Sequence, residues 1–135
     1  MIVIDTSVLS LALRRRNPGP RESSIAARLR DVVTSEQDVA IPGIVLQEIL
    51  TGVKASVDFE RLCRLLDPYP VLTATRERHV EAARISNRCR SAGVTAPTAD
   101  CLIAAQTIAA RGLLLTTDTD FADMAPHCDL RLLRA

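Results

Sequence analysis

Short apolar runs and helix-periodic stretches take turns along the whole chain, and that alternation leaves few folds open. Strand-like runs stand at Ile2 to Ile4, Val39 to Ile41, Val71-Leu72, Leu113 to Thr116 and Leu130 to Leu133. Between them lie helical patterns at Thr6 to Arg16, Ser23 to Thr34, Pro42 to about Val53, Val57 to Leu66, Glu77 to Ser91 and Thr98 to Ala110. A helical turn follows at Phe121 to Met124. In the second helix Ile25, Leu29, Val32 and Val33 share one side. Turn chemistry punctuates the series. Asn17-Pro18-Gly19-Pro20 is a turn by composition, Pro42 suits a first helical turn, Thr98 suits a cap, and Gly93 and Gly112 suit helix stops. Strands separated by helices favour a common direction. The expectation is an α/β fold with a central, mostly parallel sheet of four to five strands and helices on both faces. With 135 residues and no repeat, linker or low-complexity tract, residues 1–135 read as a single domain.

Four acidic residues stand where such a layout gathers ligands. Asp5 closes the first apolar run, Asp118 follows Leu113-Leu114-Leu115-Thr116-Thr117, and Glu48 and Asp100 sit inside apolar helical patterns. In an open α/β sheet the residues just past the strand ends converge on one crevice. Taken singly, Asp5 and Asp118 fit helix capping, and Asp100 fits the positive end of a helix dipole. Glu48 resists that reading. Its helix carries Ile44, Val45, Leu46, Ile49, Leu50 and Val53, which predicts a buried carboxylate, and no Lys or Arg occurs between Arg30 and Lys54. A buried, unpaired carboxylate is costly, so it calls for a partner from elsewhere in the chain or a metal, and the metal is favoured. Carboxylates sharing a crevice repel one another unless a cation offsets them. A hard divalent ion, Mg²⁺ or Mn²⁺, needs only oxygens.

Composition narrows the classes further. A hydrophobic fraction of 47% with 24% charged residues describes a globular protein rather than a disordered one. No run approaches the ~18 apolar residues of a membrane span. Asp5 interrupts the first apolar run and Arg14-Arg15-Arg16 follow it, the wrong order for a signal peptide, so a cytoplasmic location is expected. Cys63, Cys89, Cys101 and Cys128 form no close Cys-x-x-Cys pair and are expected to be reduced, with Cys101 a small buried hydrophobe. His79 and His127 are not spaced as a ligand pair and read as surface residues. Lys54 is the only lysine among the 17 basic residues. Arginine grips phosphate in a planar fork, so this excess permits nucleic-acid binding, although a codon bias explains it equally well. Tyr69, Phe59 and Phe121 are the only rings, which excludes a base-stacking platform. No glycine-rich phosphate loop and no Ser/His/Asp set is present.

Four motifs in order carry a resemblance over nearly the whole chain: Ile2-Val3-Ile4-Asp5-Thr6-Ser7-Val8-Leu9, Gln47-Glu48-Ile49, Ala99-Asp100-Cys101-Leu102-Ile103-Ala104-Ala105, and Leu115-Thr116-Thr117-Asp118-Thr119-Asp120-Phe121. With these motifs the chain resembles the PIN-domain family, and within it the small VapC-type toxins of toxin–antitoxin pairs. The resemblance implies a metal-dependent endoribonuclease whose Asp5, Glu48, Asp100 and Asp118 surround Mg²⁺ or Mn²⁺. Asp118 then ranks as a direct ligand and Asp120 as a supporting or water-bridged acid. Thr6, Ser7 and Thr117 supply hydroxyls that orient ligands or phosphate. Arg14, Arg15 and Arg16 are candidate phosphate holders, or equally a solvated helix end. The implied chemistry is in-line hydrolysis by metal-activated water, leaving 5′-phosphate and 3′-hydroxyl ends without help from the 2′-hydroxyl. The implied partners are RNA, a second copy of the chain in a homodimer, and a VapB-like antitoxin with its C-terminal segment near the acids. Ile25, Leu29, Val32, Leu46 and Leu50 either make such contacts or belong to the core.

Other readings fit less well. A PIN nuclease of RNA processing outside any toxin pair, or a non-catalytic PIN scaffold, shares the motifs, although a complete acid set speaks against the scaffold. A haloacid-dehalogenase-type phosphatase wants a second Asp where Ser7 stands, and a receiver domain wants an acidic pair before its first helix. A metal-dependent adhesion site wants a final Ser where Leu9 stands.

Overall fold

Ile2, Val3 and Ile4 are each buried, so both sides of this short pleated segment meet protein. A strand covered on both faces belongs inside a parallel sheet. The computed structural model describes residues 1–14 and 17–135 and places this strand, β1 (Ile2–Ile4), at the centre of a five-stranded sheet. The others are β2 (Val39–Pro42), β3 (Val71–Leu72), β4 (Leu113–Thr116) and β5 (Leu132–Arg134), in the order β3-β2-β1-β4-β5. Every pairing is parallel. Ile2 lies opposite Val39 on one side and Leu113 on the other.

The helices are α1 (Thr6–Leu13), α2 (Pro20–Thr34), α3 (Gly43–Leu50), α4 (Ser56–Leu66), α5 (Arg76–Ser91), α6 (Thr98–Ala109) and α7 (Asp120–Met124), with a 3₁₀ turn at Ala125–His127. The chain steps outward from β1 to β2 and β3, then returns to the other side of β1 for β4 and β5. Right-handed crossovers turn this reversal into helices on both faces. α1 packs on α2 and α3, and α5 packs on α6. The expected α/β fold with its parallel sheet is what the chain adopts, at the upper strand count.

Several local expectations change. Pro42 ends β2 and stands at the N-cap of α3 rather than inside its first turn. α3 stops at Leu50 because Gly52 adopts φ 86°, which leaves Val53 outside. α2 starts at Pro20, whose fixed φ suits a first helical position, and not at Ser23. Thr98 does not cap α6: Pro97 holds the cap position in extended conformation and Thr98 is already helical. Gly93 does end α5's exit turn, with φ 79°. Gly112 works differently from a helix stop. Arg111 takes the left-handed turn with φ 54°, while a Cβ on Gly112 would lie 3.0 Å from the Met1 carbonyl oxygen and 3.2 Å from Val3 Cγ2. Its lack of a side chain lets the α6–β4 link press against β1. β5 runs from Leu132 to Arg134, two residues later than expected at its start.

The core settles the ambiguous apolar residues. Ile25, Leu29 and Val32 are buried in it, and Leu46 and Leu50 pack against it, whereas Val33 turns outward at 41% exposure. Phe121, Ile4, Leu9, Ile41, Ile49 and Ile103 are among its large, fully buried side chains. All four cysteines are free, and burial pushes the Cys101 and Cys128 thiols above their ordinary value, which keeps them protonated and unreactive.

Candidate metal centre

The chain reverses its direction of travel across the sheet between β1 and β4, so the crevice past their C-terminal ends is the topological switch point where α/β sheets bind ligands. Asp5 leaves β1 directly into this crevice, and Asp118 lies in the link between β4 and α7. Asp100 enters from the first turn of α6, Glu48 from α3, and Asp120 opens α7.

Asp5 is buried at 4% exposure. It occupies the N-cap position of α1 but makes no side-chain cap bond, so the capping explanation fails for it. Instead Asp5 Oδ2 accepts the Ser7 hydroxyl at 2.8 Å and the Thr116 hydroxyl at 2.8 Å. Each hydroxyl in turn accepts a backbone N–H from the β4–α7 link: Thr117 N–H to Ser7 Oγ at 3.0 Å, and Asp118 N–H to Thr116 Oγ1 at 2.9 Å. Both hydroxyl protons are thus committed to one oxygen of Asp5. The two bonds fix the carboxylate's orientation and tie it to the backbone that carries Asp118.

Glu48 is half-buried, not buried as its apolar helix suggested. α3 buries Val45 and Ile49, and Glu48 lies at the border of that stripe. Its partner within the chain is Thr6, whose hydroxyl donates to Glu48 Oε1 at 3.0 Å. Asp100 and Asp118 are half-buried and Asp120 is exposed. One carboxylate oxygen from each of these three lies within 4.8 Å of the others. Asp118 Oδ1 also accepts the Asp120 N–H at 2.9 Å, which holds the two neighbouring acids in one turn. Asp5 and Glu48 stand outside this 4.8 Å group, yet their charge reaches it. Asp100 is pushed up to about 7, first by burial and then by the charges of Asp118, Asp5, Asp120 and Glu48.

Among the described residues none of the five acids has a Lys, Arg or His ion-pair partner; the ion pairs there join Arg84 and Arg88 to Glu81. An acidic cluster that raises its own member's proton affinity, with only oxygen donors, fits a hard divalent cation.

Other expected contributors fall differently. The Thr6 and Ser7 hydroxyls donate to Glu48 and Asp5, and the Thr117 backbone N–H donates to Ser7 Oγ. Arg14 is exposed and follows the last residue of α1, roughly 12 Å along that helix from its start beside the acids. Arg15 and Arg16 lie outside the described residues. His79 is exposed and His127 half-buried, and neither joins the acids. The residue that sequence reasoning passed over is Thr116. A threonine closing a strand reads as an ordinary strand former. Its position two residues before Asp118 was the available signal.

The architecture has close relatives among solved structures. FitAcB from Neisseria gonorrhoeae is 22% identical, with 98% of this chain and 96% of that one covered and a TM-score of 0.76. VapBC2 from Rickettsia felis, bound to a DNA fragment from its promoter, is 19% identical, covers 100% of this chain and 99% of that one, and has a TM-score of 0.81. VapBC-1 from nontypeable Haemophilus influenzae is 16% identical over 99% of this chain and 98% of that one, with a TM-score of 0.76. At such identities the likeness is one of fold. The family model for the PIN domain matches residues 2–126, which span β1, every acid of the crevice and α7. The chain belongs to the PIN-domain family.

Proposed function

We propose that this protein is a VapC-like toxin, a metal-dependent endoribonuclease that hydrolyses RNA phosphodiester bonds and is held inactive by a VapB-like antitoxin. The observation that carries this reading is the meeting of Asp100, Asp118 and Asp120 oxygens within 4.8 Å at the sheet's switch point, beside Asp5 and without a basic partner among the described residues. The likeness of fold to FitAcB, VapBC2 and VapBC-1 supports the toxin assignment and the antitoxin partner. Among the described residues no helix is long and apolar enough to cross a membrane; the proposal makes the protein a cytoplasmic homodimer that meets RNA.

Asp100, Asp118 and Asp120, with Asp5 and Glu48 beside them, would hold Mg²⁺ or Mn²⁺. When bound, such an ion polarises a phosphoryl oxygen and lowers the pKa of water at neutral pH. The chain's own part is positional. Ser7 and Thr116 hold Asp5 Oδ2 and leave Oδ1 without a hydrogen bond among the described residues. Thr6 holds Glu48 Oε1 with a single hydroxyl bond. No side chain here is needed to attack the substrate, so RNA and DNA differ to this centre only in shape and contacts.

The test is a panel of structured RNAs incubated with Mn²⁺, with EDTA, and with the Asp5→Asn variant. Cuts carrying 5′-phosphate ends, present with Mn²⁺ and lost in the other two arms, are expected. Absence of both cleavage and Mn²⁺ binding by calorimetry would overturn the proposal.

A further inference from the structure

Next to the acids lies a cavity of about 400 Å³, within the ~300–1,000 Å³ range of small-molecule sites. Asp118 belongs to both. One wall is the start of α2 with Arg21, another is β5 with Arg134, and Thr116 to Thr119 also line it. Arg28 of α2 donates to the Arg134 carbonyl oxygen at 3.5 Å and ties the two walls together. Among the described residues, neither the Arg21 nor the Arg134 guanidinium has a carboxylate partner or a hydrogen bond, and the Thr117 and Thr119 hydroxyls are likewise unengaged. Two free guanidinium groups and two free hydroxyls around one cavity are the donor set for a phosphodiester.

We infer that this cavity receives the nucleotide adjoining the scissile bond, with Arg21 and Arg134 gripping its phosphate and Thr117 and Thr119 hydrogen-bonding its oxygens. The inference rests on the nuclease reading for its choice of ligand. Asp118 belongs to the acid group and lines the cavity, so a strand with one phosphate at the acids can lay the next nucleotide there. The remaining wall is aliphatic, from Ile25, Ala122 and Leu133, with no ring to stack a base. The subsite therefore grips backbone and tolerates any base.

The experiment compares wild type, Arg21→Ala, Arg134→Ala and Arg134→Lys. Affinity for a fluorescent single-stranded RNA is measured in EDTA across a salt series, with a DNA strand of the same sequence as a second arm. Cleavage with Mn²⁺, Mn²⁺ binding and melting temperature are measured alongside. Each alanine variant is expected to weaken RNA binding roughly tenfold and to flatten the log K against log salt slope by about 0.7. Melting temperature and Mn²⁺ affinity should stay as in wild type. Arg134→Lys should restore the slope with only part of the affinity, because lysine keeps the charge without the fork. Equal losses on RNA and DNA mark a backbone grip, whereas loss on RNA alone adds the 2′-hydroxyl to the recognised group. If wild type cleaves RNA while the alanine variants bind with unchanged affinity and slope, the subsite is refuted, the nuclease stands, and the cavity is left to a protein ligand. If nothing is cleaved but the alanine variants still lose affinity and slope, the subsite stands and hydrolysis falls. If nothing is cleaved and the variants bind as wild type does, both are refuted.

Discussion

Thr116 and Asp5, 111 positions apart in the chain, meet at 2.8 Å, with the threonine hydroxyl donating to Asp5 Oδ2. The same hydroxyl accepts the Asp118 N–H at 2.9 Å. One side chain therefore sets the orientation of an acid from β1 and the path of the backbone that carries an acid after β4. Thr116→Val keeps the shape and removes both bonds. It should cost about 1–3 kcal/mol in urea unfolding, because a buried carboxylate loses a donor and an N–H loses its acceptor. Mn²⁺ affinity by calorimetry should fall roughly ten- to a hundredfold, the usual effect of losing a group that orients a ligand. Wild-type affinity in this variant would show that Ser7 alone suffices.

Asp100 makes the metal-free protein sensitive to pH. Its carboxyl is raised from 3.8 to about 7, so the folded state holds that proton more tightly than the unfolded chain does. The contribution to stability is full below the unfolded value and is lost as pH rises through the folded one. In EDTA the melting temperature should fall between pH 4 and pH 7, and Asp100→Asn should flatten that fall. Mn²⁺ at 100 times its dissociation constant should return about 2.7 kcal/mol at the upper end. An identical decline in wild type and Asp100→Asn would assign the effect to other groups.

Gly112→Ala tests a close approach rather than a turn. The added methyl would meet the Met1 carbonyl oxygen at 3.0 Å and Val3 Cγ2 at 3.2 Å, and backbone cannot swing aside as a flexible side chain can. A loss of about 1–3 kcal/mol in chemical denaturation is expected. A neutral result would mean that β1 and the α6–β4 link separate easily.

Phe121 anchors the short α7 directly after Asp120 and is completely buried. Phe121→Ala should destabilise the fold by about 3–5 kcal/mol. Because α7 opens with Asp120 and follows Asp118, Mn²⁺ affinity should fall as well, measured at a temperature where the variant is still folded. Unchanged affinity would show that the Asp118–Asp120 turn holds itself.

What was legible in the chain was its periodicity and its misplaced acids. Alternating apolar runs revealed all five strands, and Asp5, Asp100 and Asp118 stood out because each follows a strand or opens a buried helix. Neighbour choice was not legible. β1 lies between β2 and β4 because crossovers over many residues decide it, and local periodicity carries no trace of that. The burial of Glu48 was overestimated, since an apolar helix still has a border residue and Thr6 supplies its hydrogen bond from another element. Thr98 and Gly112 were misread at the scale of one or two residues, where caps are decided by neighbours such as Pro97 and Arg111. Arg21 and Arg134 are 113 positions apart and line one cavity only in the folded chain.

The central place of β1 also sets a schedule for synthesis. One edge of β1 can pair as soon as β2 has been made, but the other edge waits for Leu113, Leu114 and Leu115. Until then Asp5 lacks its Thr116 bond and the crevice lacks Asp118 and Asp120 altogether. Synthesis from the N-terminus makes β4 late, and a domain folds as a unit. A nascent or broken copy ending before β4 carries three of the five acids, Asp5, Glu48 and Asp100, without the two that complete the cluster with Asp100. The cluster is completed only in the last fifth of the chain, so a copy that stops earlier lacks it.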